Sequence, residues 1–489
     1  MLFNSFHFIL FFITVTTLYF VLPFKLRWLM LLVASCVFYM YFIPKYILIL
    51  FLTILIDYAA GIAMEKYPGK KKAFLIASLI GNIGILFFFK YFNFFIENIN
   101  HVGQALHWNY SIDALKIILP IGLSFHTFQA MSYTIEVYRG KQKAEKHLGI
   151  YALYVMYYPQ LVAGPIERPQ NLLHQFHTKH TFDFERFQSG LRLMLWGFFK
   201  KIVIADRLAY FVNLVYEDPH HFPTVSIFIA CVFFSIQIYC DFSGYSDIAR
   251  GASRIMGIEL MENFRMPYFA HNINEFWSRW HISLSTWFKD YLYIPLGGNR
   301  VSKTKWVRNL FIVFFISGLW HGARWTFITW GTLHGALTIC TVLLVPFFLK
   351  ADKSKLIKLV SVFFTFYVVT AIWIFFRAEN FSKALYLLKS YFIGIPDYIH
   401  DVLFAPNYLW LEPLMFNLYY GIYGFDFLVI FFSVSGLFIV EYVFSNKIFK
   451  TKFETSSLTL KSACYCFLIL FLIFTGVFHS NQEFIYFQF

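Results

Sequence analysis

Two histidines, His281 and His321, lie in aromatic-rich, water-poor stretches of a 489-residue chain. The first belongs to EFWSRWHISLSTWFKDYLYIPLGGNR, Glu275 to Arg300. On a continuous helix Trp277, His281 and Ser285 fall at i, i+4 and i+8, which puts an imidazole and a hydroxyl on one face. Arg279, Lys289 and Asp290 make the stretch amphipathic, and Pro295, Gly297 and Gly298 end it in a turn. The same pattern fits a cytoplasmic-surface helix that snorkels its cations and anchors with tryptophan. The second histidine belongs to SGLWHGARWTFITWGTLHG, Ser317 to Gly335. A basic loop closes at Arg308, so His321 lies about 13 residues into the next span. At roughly 1.5 Å per residue that is about 20 Å, past the middle of a bilayer core. An ionisable side chain at that depth is costly unless it faces protein or water. Gly318 with Gly322, and Gly331 with Gly335, form i, i+4 pairs that let another backbone approach closely. A histidine hydrogen-bonded between helices is the structural alternative for His321, and it is the favoured reading for His334.

An imidazole that titrates near neutrality can take a proton from a hydroxyl and return one to a thiolate, which suits acyl transfer from a thioester to an alcohol. A proton relay in a transporter would use the same residues. Other chemistries lack their motifs: there is no G-x-S-x-G, H-E-x-x-H, G-x-x-x-x-G-K or G-x-G-x-x-G, and no His-x-x-x-x-Asp pair. His174, His177 and His180 in HQFHTKH have metal-clamp spacing without an evident fourth ligand, so a solvated loop is expected and no metal. Asp57 is an acid within an apolar span with no evident partner, and a cytoplasmic-side cation is the expected one. Asp241, Ser243, Ser246, Asp247 and Arg250 in CDFSGYSDIAR suggest a polar network.

The elements that must position these groups cross a membrane. The chain is 59% hydrophobic, 22% aromatic and only 14% charged, against roughly 45–50% apolar and about 25% charged in soluble domains. Apolar stretches suited to about 30 Å of hydrocarbon recur throughout: Phe6 to Leu22, Trp28 to Ile43, Tyr46 to Met64, Ala73 to Phe89, Val225 to Cys240, Phe311 to Trp320, Trp325 to Leu349, Leu359 to Phe376, Phe425 to Val443 and Ser462 to Phe478. Less regular segments, Leu115 to Tyr133, Leu148 to Leu161 and Gln188 to Phe211, bring the expected total to about eleven to thirteen crossings and re-entrant pieces. Phe6 to Leu22 has neither a basic flank before it nor a small-residue cleavage site after it, so it reads as the first span. Six scattered cysteines imply no disulfide framework.

The net charge of +14 would suggest nucleic acid in a soluble domain. Here it resolves into basic loops at Lys25 and Arg27, Lys66 to Lys72, Arg139 to Lys146, Arg300 to Arg308, Lys350 to Lys358 and Lys447 to Lys452, which belong in the cytoplasm. Tyr91 to Leu115, Leu208 to Ala249 and Ser390 to Asn446 hold no Lys or Arg, and their loop portions carry Glu97, Asp113, Glu217, Asp218, Asp397, Asp401 and Glu412. These belong outside, as does the N-terminus. Residues 1–489 read as a single integral domain without a linker or internal repeat, and a transporter would be expected to show inverted repeats. Four segments are too polar or too broken for lipid-facing spans: Pro120 to Gly140, Tyr157 to Gln175, Asp241 to Gly257 and Asn274 to Arg300. Such backbone must pack on protein or line a wet cavity, which predicts an internal chamber.

FWSRWHISLSTWFKDYLYIPLGGNR and SGLWHGARWTF resemble the two signature segments of the membrane-bound O-acyltransferase family. IGLSFHTFQAMSYTIEVYRG, YYPQLVAGPIERPQNLLHQF, YCDFSGYSDIARGASRIMGIELMENFRMPY and the terminal FIYFQF resemble its bacterial alginate and peptidoglycan O-acetyltransferase branch, most strongly over residues 119–377. The resemblance implies an all-α polytopic fold around a central funnel in the bacterial cytoplasmic membrane. His321 would be the catalytic histidine at the floor, and His281 the second catalytic histidine. Trp280, Ser283, Ser285, Trp320, Trp325, Gln129, Asp290 and Tyr293 are candidates to line the substrate channel. Acetyl-coenzyme A, or another acyl thioester, would be donor from the cytoplasm. An extracytoplasmic acetyltransferase-like partner would complete transfer to an envelope polysaccharide, with no nucleic acid involved. Lys303, Lys305 and Arg308 can attract an anionic donor electrostatically, or serve topology alone. D-alanyl transfer to teichoic acid from a carrier protein is the alternative within the same chemistry, and a proton-coupled transporter or flippase the alternative outside it.

Overall fold

The computed structural model describes residues 1–108, 111–117, 119–348, 354–404, 424–478 and 484–485, and among these the regular structure is helical throughout. Backbone N–H and C=O groups in hydrocarbon must bond within their own segment, so the apolar stretches become helices whose ends fall at prolines and caps. Ser5 accepts from Phe8 N–H at the start of α1 (Phe6–Val21), and Pro23 separates it from α2 (Phe24–Met40). After α3 (Ile47–Lys66) and Pro68, α4 (Lys71–Leu86) runs through a π-helical turn at Phe87–Tyr91 into α5 (Phe92–Ala105). The middle of the chain folds as α6 (Leu123–Tyr138), α7 (Leu148–Met156), α8 (Pro169–Phe176) and α9 (Phe184–Phe198). A second π-helical turn, Phe199–Ala205, leads into α10 (Asp206–Glu217), followed by α11 (Thr224–Ile255). Two short helices, α12 (Ile273–Arg279) and α13 (Ile282–Phe288), precede α14 (Lys303–His321), α15 (Trp325–Phe348), α16 (Lys355–Arg377) and α17 (Phe381–Phe404). Helices Gly424–Ser445, Lys447–Glu454 and Leu458–Thr475 complete the described chain.

Seven of these helices are long and apolar enough to cross a bilayer by length and composition. Of the other crossings expected from the sequence, α1 and α2 are shorter, while α14 is long enough but begins among Lys303, Lys305 and Arg308. Exposed Phe363, Phe364, Phe431, Phe432, Phe467 and Phe474 face outward, as lipid-solvated side chains do. α11 is 32 residues long, twice the stretch its apolar run suggested, because its second half is polar and packed inside the protein. α17 was not expected at all. Lys383, Lys389, Asp397 and Pro396 interrupt its apolarity, and Asp397, assigned to an exterior loop from sequence, sits on this helix and accepts from Thr224 Oγ1 at 2.9 Å. Glu412, also placed outside, lies beyond the described residues.

Small residues bring α9 and α11 into close contact. A Cβ on Gly197 would stand 2.6 Å from Gly244 O, and one on Gly251 would stand 2.6 Å from Gly190 O. Just beyond that seam Lys201 is buried between Asp206 and Asp241, 2.7 Å from each, and Lys200 meets Asp247 at 2.6 Å. Of the polar network expected here, Asp241 and Asp247 take lysines, Arg250 also approaches Asp247 at 3.5 Å, and Ser246 Oγ accepts from Asn263, whereas Ser243 Oγ bonds none of them. Asp57 has neutral partners in place of the expected cation: Ser78 Oγ donates to it at 2.5 Å and Asn82 Nδ2 at 2.8 Å. α3 and α4 pack side by side, so these groups come from the neighbouring helix, and among the described residues no loop cation reaches Asp57.

Two apolar clusters make up the interior. One gathers α1 to α3, α6, α7 and Trp287 with Trp320; the other gathers α10, α16 and α17 with Trp280, Trp330 and Trp373. α11 contributes to both, and the candidate histidines sit where they meet.

Candidate active site

His321 is the last residue of α14, and Gly322 turns the chain away in extended conformation. α15 crosses α14 at its glycines: a Cβ on Gly331 would stand 2.9 Å from Gly318 Cα, and one on Gly322 would collide with the Phe327 ring. The close approach expected from the glycine pairs is therefore present. It drives His321 into a wall of aromatic rings, with Trp320 at 4.8 Å, Trp330 at 4.9 Å and Phe376 at 5.4 Å between centroids.

The carbonyls that end α14 are held from outside. Lys90 Nζ donates to Trp320 O at 2.6 Å, His321 O at 3.0 Å and Ser124 Oγ at 3.2 Å, and Tyr91 OH donates to Leu319 O at 3.0 Å. A cation against the last carbonyls of a helix complements its negative end. Sequence reasoning missed Lys90, whose signal was a lone lysine at the end of an apolar run.

His281 is placed differently from the expectation. The helix is broken there: His281 has φ +43° and ψ 55°, so α12 ends before it and α13 begins after it. Trp277, His281 and Ser285 consequently share no continuous helical face, and the residue is fully buried instead of lying on a surface helix. A left-handed non-glycine residue costs about 1–2 kcal/mol, which local side-chain bonding must offset. That bonding comes from Asn263, in the non-helical chain between α11 and α12. Its Oδ1 lies 3.0 Å from His281 Nδ1 and accepts from Ser283 Oγ at 2.9 Å, while its backbone carbonyl accepts from Ile282 N–H at 2.9 Å. Trp320 lies between the two histidines, 6.4 Å from His281 by centroid, and Phe242 packs edge-on to His281 at 4.7 Å.

Of the other candidates, Trp280 is buried and joins the second cluster through Trp373 at 4.9 Å. Ser283 is part of the Asn263 network, and Ser285 Oγ donates to Trp280 O at 3.2 Å. His334 is fully buried against Trp277 and Trp330, with centroids at 5.0 and 5.1 Å, and shares the Trp330 ring with His321. Gln129 Nε2 donates to Tyr154 O at 2.5 Å and ties α6 to α7. Asp290 and Tyr293 stand toward the basic loops, where Arg168 approaches Asp290 at 3.5 Å and Trp306 Nε1 donates to Tyr293 OH at 2.9 Å. Trp325 is 57% exposed and donates to Asn98 Oδ1 at 3.0 Å, so the structure does not bring it to the histidines. His174, His177 and His180 each bond a different acceptor group, respectively Gln170 O, Glu145 and Gln175 O, in and after α8.

The aromatic cluster around the histidines is rich in polar side-chain atoms without a protein partner. Among the described residues His281 Nε2 and the buried indole N–H groups of Trp277, Trp320, Trp330 and Trp373 have no hydrogen-bond partner. Buried polar groups are normally paired, and a cluster of exceptions marks a place for water or substrate. Donors and an imidazole acceptor in a dry aromatic setting are what acyl transfer requires: stabilisation of a developing oxyanion and removal of a hydroxyl proton.

Residues 146–378 match the model of the membrane-bound O-acyltransferase family. A probable alginate O-acetylase of Azotobacter vinelandii is 37% identical over 385 residues, 77% of this chain and 74% of that protein. A peptidoglycan O-acetyltransferase of Helicobacter pylori is 36% identical over 430 residues, 80% of this chain and 79% of that protein. A teichoic acid D-alanyltransferase of Bacillus subtilis is 29% identical over 237 residues, 46% of this chain and 59% of that protein.

Proposed function

The chain belongs to the membrane-bound O-acyltransferase family, and from that premise we propose that it moves acetyl groups from cytosolic acetyl-coenzyme A across the membrane for O-acetylation of a cell-envelope polysaccharide, peptidoglycan or an alginate-like polymer. It is an acyltransferase embedded in a membrane by multiple helices. The observation that carries the reading is the meeting of His281 and His321 across Trp320 at the seam of the two cores.

In the proposed reaction His321 takes the proton of the acceptor hydroxyl as its oxygen attacks the thioester carbonyl. N–H donors, from His281 or from nearby indole and backbone groups, hold the oxyanion, and the imidazolium returns its proton to the departing thiolate. Acyl transfer by way of an acyl-histidine is the rival, and it predicts acylated protein trapped by rapid quench on donor alone.

The direction of transfer rests on charge. Arg27 bonds His180 O at 2.6 Å, Tyr58 OH bonds Lys146 O at 2.6 Å, Lys71 bonds Tyr138 O at 3.4 Å and Arg139 bonds Asp290 O at 3.0 Å, so these basic segments share one end of the bundle. The positive-inside preference puts that end in the cytoplasm and the N-terminus outside. From that end α14 begins at Lys303 and delivers His321 at its far end. A donor entering among Lys303, Lys305 and Arg308, and an extracytoplasmic partner receiving the acetyl group, complete the scheme.

Proteoliposomes supplied with labelled acetyl-coenzyme A test it. Label transferred to an acceptor, or released by hydrolysis, is expected from wild type and not from His321→Ala. Normal transfer by His321→Ala would sink the assignment, and proton-coupled flux of intact substrate without acetyl transfer would make the protein a transporter. The D-alanyl alternative is weaker on coverage, since that relative aligns over less than half of this chain.

A further inference from the structure

Asn263 carries an inference that rests on the acyl-transfer reading and sharpens it. Its Oδ1 receives a backbone donor, Ser283 N–H, at 3.3 Å, as well as Ser283 Oγ–H at 2.9 Å. Ser283 Oγ is itself the acceptor for Ile166 N–H at 3.0 Å, and Asn263 Nδ2 donates to Ser246 Oγ at 3.3 Å. An amide turned the other way would set its NH2 against the backbone N–H of Ser283, two donors facing each other, so the network fixes the oxygen on this side. The oxygen has no hydrogen to give. His281 Nδ1, 3.0 Å from it, must therefore be the N–H nitrogen, and in the neutral ring Nε2 carries the lone pair.

Two further observations set this nitrogen apart. His281 is fully buried and its Nε2 has no partner among the described residues, and the backbone is held in a left-handed conformation that turns the residue out of helical register. Strain of this kind persists where the surroundings over-determine it, and functional sites are where it collects.

We infer that Asn263 is a positioning residue that locks His281 in the Nδ1–H tautomer, so that Nε2 serves as a hydrogen-bond acceptor for a substrate O–H group and not as an oxyanion donor. Stabilisation of the oxyanion then falls to the unpartnered indole N–H groups, of which Trp320 Nε1 belongs to the ring between the two histidines. With His321 as base, the O–H at His281 belongs to the group that accepts the acetyl. A partner on the far nitrogen setting the tautomer of a working imidazole is a general device.

Histidine-selective 15N labelling of the full-length protein in lipid nanodiscs reads the tautomer directly, with His281 assigned by the signals lost in His281→Gln. A protonated Nδ1 and a bare Nε2 are expected in wild type and in Asn263→Asp, which keeps an oxygen in place. Asn263→Leu should lose the preference, lower kcat by about 10- to 100-fold and leave KM for acetyl-coenzyme A within about twofold, while Asn263→Asp recovers most of kcat. A protonated Nε2 in neutral wild-type protein overturns the inference, as does wild-type kcat in a folded Asn263→Leu. If that variant does not fold, the wild-type and Asn263→Asp tautomers still decide. Normal transfer by His321→Ala with the stated tautomer intact would remove the role of His321 and leave that of Asn263 standing.

Discussion

His321 and His281 reach the same aromatic cluster around Trp320 by opposite means. His321 ends a regular helix, and backbone continuity from Lys303 carries it to its depth. What holds it is close helix packing at Gly318 and Gly331 and a lysine clamped on the terminal carbonyls. His281 sits where the helix fails, in a left-handed conformation, held by an amide from outside α12 and α13 that the Ser283 hydroxyl also bonds. The first arrangement fixes where an imidazole stands; the second also fixes which nitrogen bears the proton. Position is cheap for a helix to specify, whereas a protonation pattern needs an individually placed partner.

The comparison can be tested by removing one support at a time. His321→Ala should produce the largest loss, about 10²- to 10⁴-fold in transfer from labelled acetyl-coenzyme A, the usual worth of a positioned acid–base group. Lys90→Met comes next. Hydrogen bonds to a charged group are worth about 1.5–3 kcal/mol, so a loss of roughly 10- to 100-fold in kcat is expected if the end of α14 relaxes, with the His281 tautomer unchanged. A Lys90→Met enzyme with wild-type kcat would mean that α14 needs no clamp. Gly331→Val should separate α15 from α14 and lower thermal stability by the equivalent of about 1–3 kcal/mol, with activity falling because His321 moves. A variant of full stability would show that the crossing is loose. Trp325→Ala should change activity and stability least, within about 0.5 kcal/mol, because the ring is exposed away from both histidines. A large loss there would place the acceptor path along Trp325 after all.

Much of this site could be read along the chain. That His321 ends the helix running on from Arg308 follows from counting residues, and the crossing of α14 with α15 from glycines at i, i+4. Asp241 and Asp247 announced a network on α11 without revealing Lys200 and Lys201, because a π-helical turn rotates those lysines inward and no periodicity encodes it. The face shared by Trp277, His281 and Ser285 was wrong for a related reason. Helical spacing assumes regular backbone, and the bonds from Asn263 to Ile282, Ser283 and His281 stabilise a break that helix propensity alone would not choose. Of the terminal FIYFQF, Phe484 and Ile485 are described; both are buried, and Ile485 N–H donates to Asp241 Oδ2 at 2.8 Å, a contact across 244 positions that composition cannot signal.

By itself the sequence determined the solvent, the helical class and the residues able to do acid–base work, because hydrophobicity, charge placement and side-chain chemistry are local properties. Only the tertiary structure decided which of those residues meet. Lys90 and His321 are 231 positions apart, and Asn263 reaches His281 through non-helical chain. Hydrogen bonds of fixed length and direction between such segments exist only once helices have packed. They decide what an imidazole can accept or donate, so here the chemistry of His281 is a property of the fold.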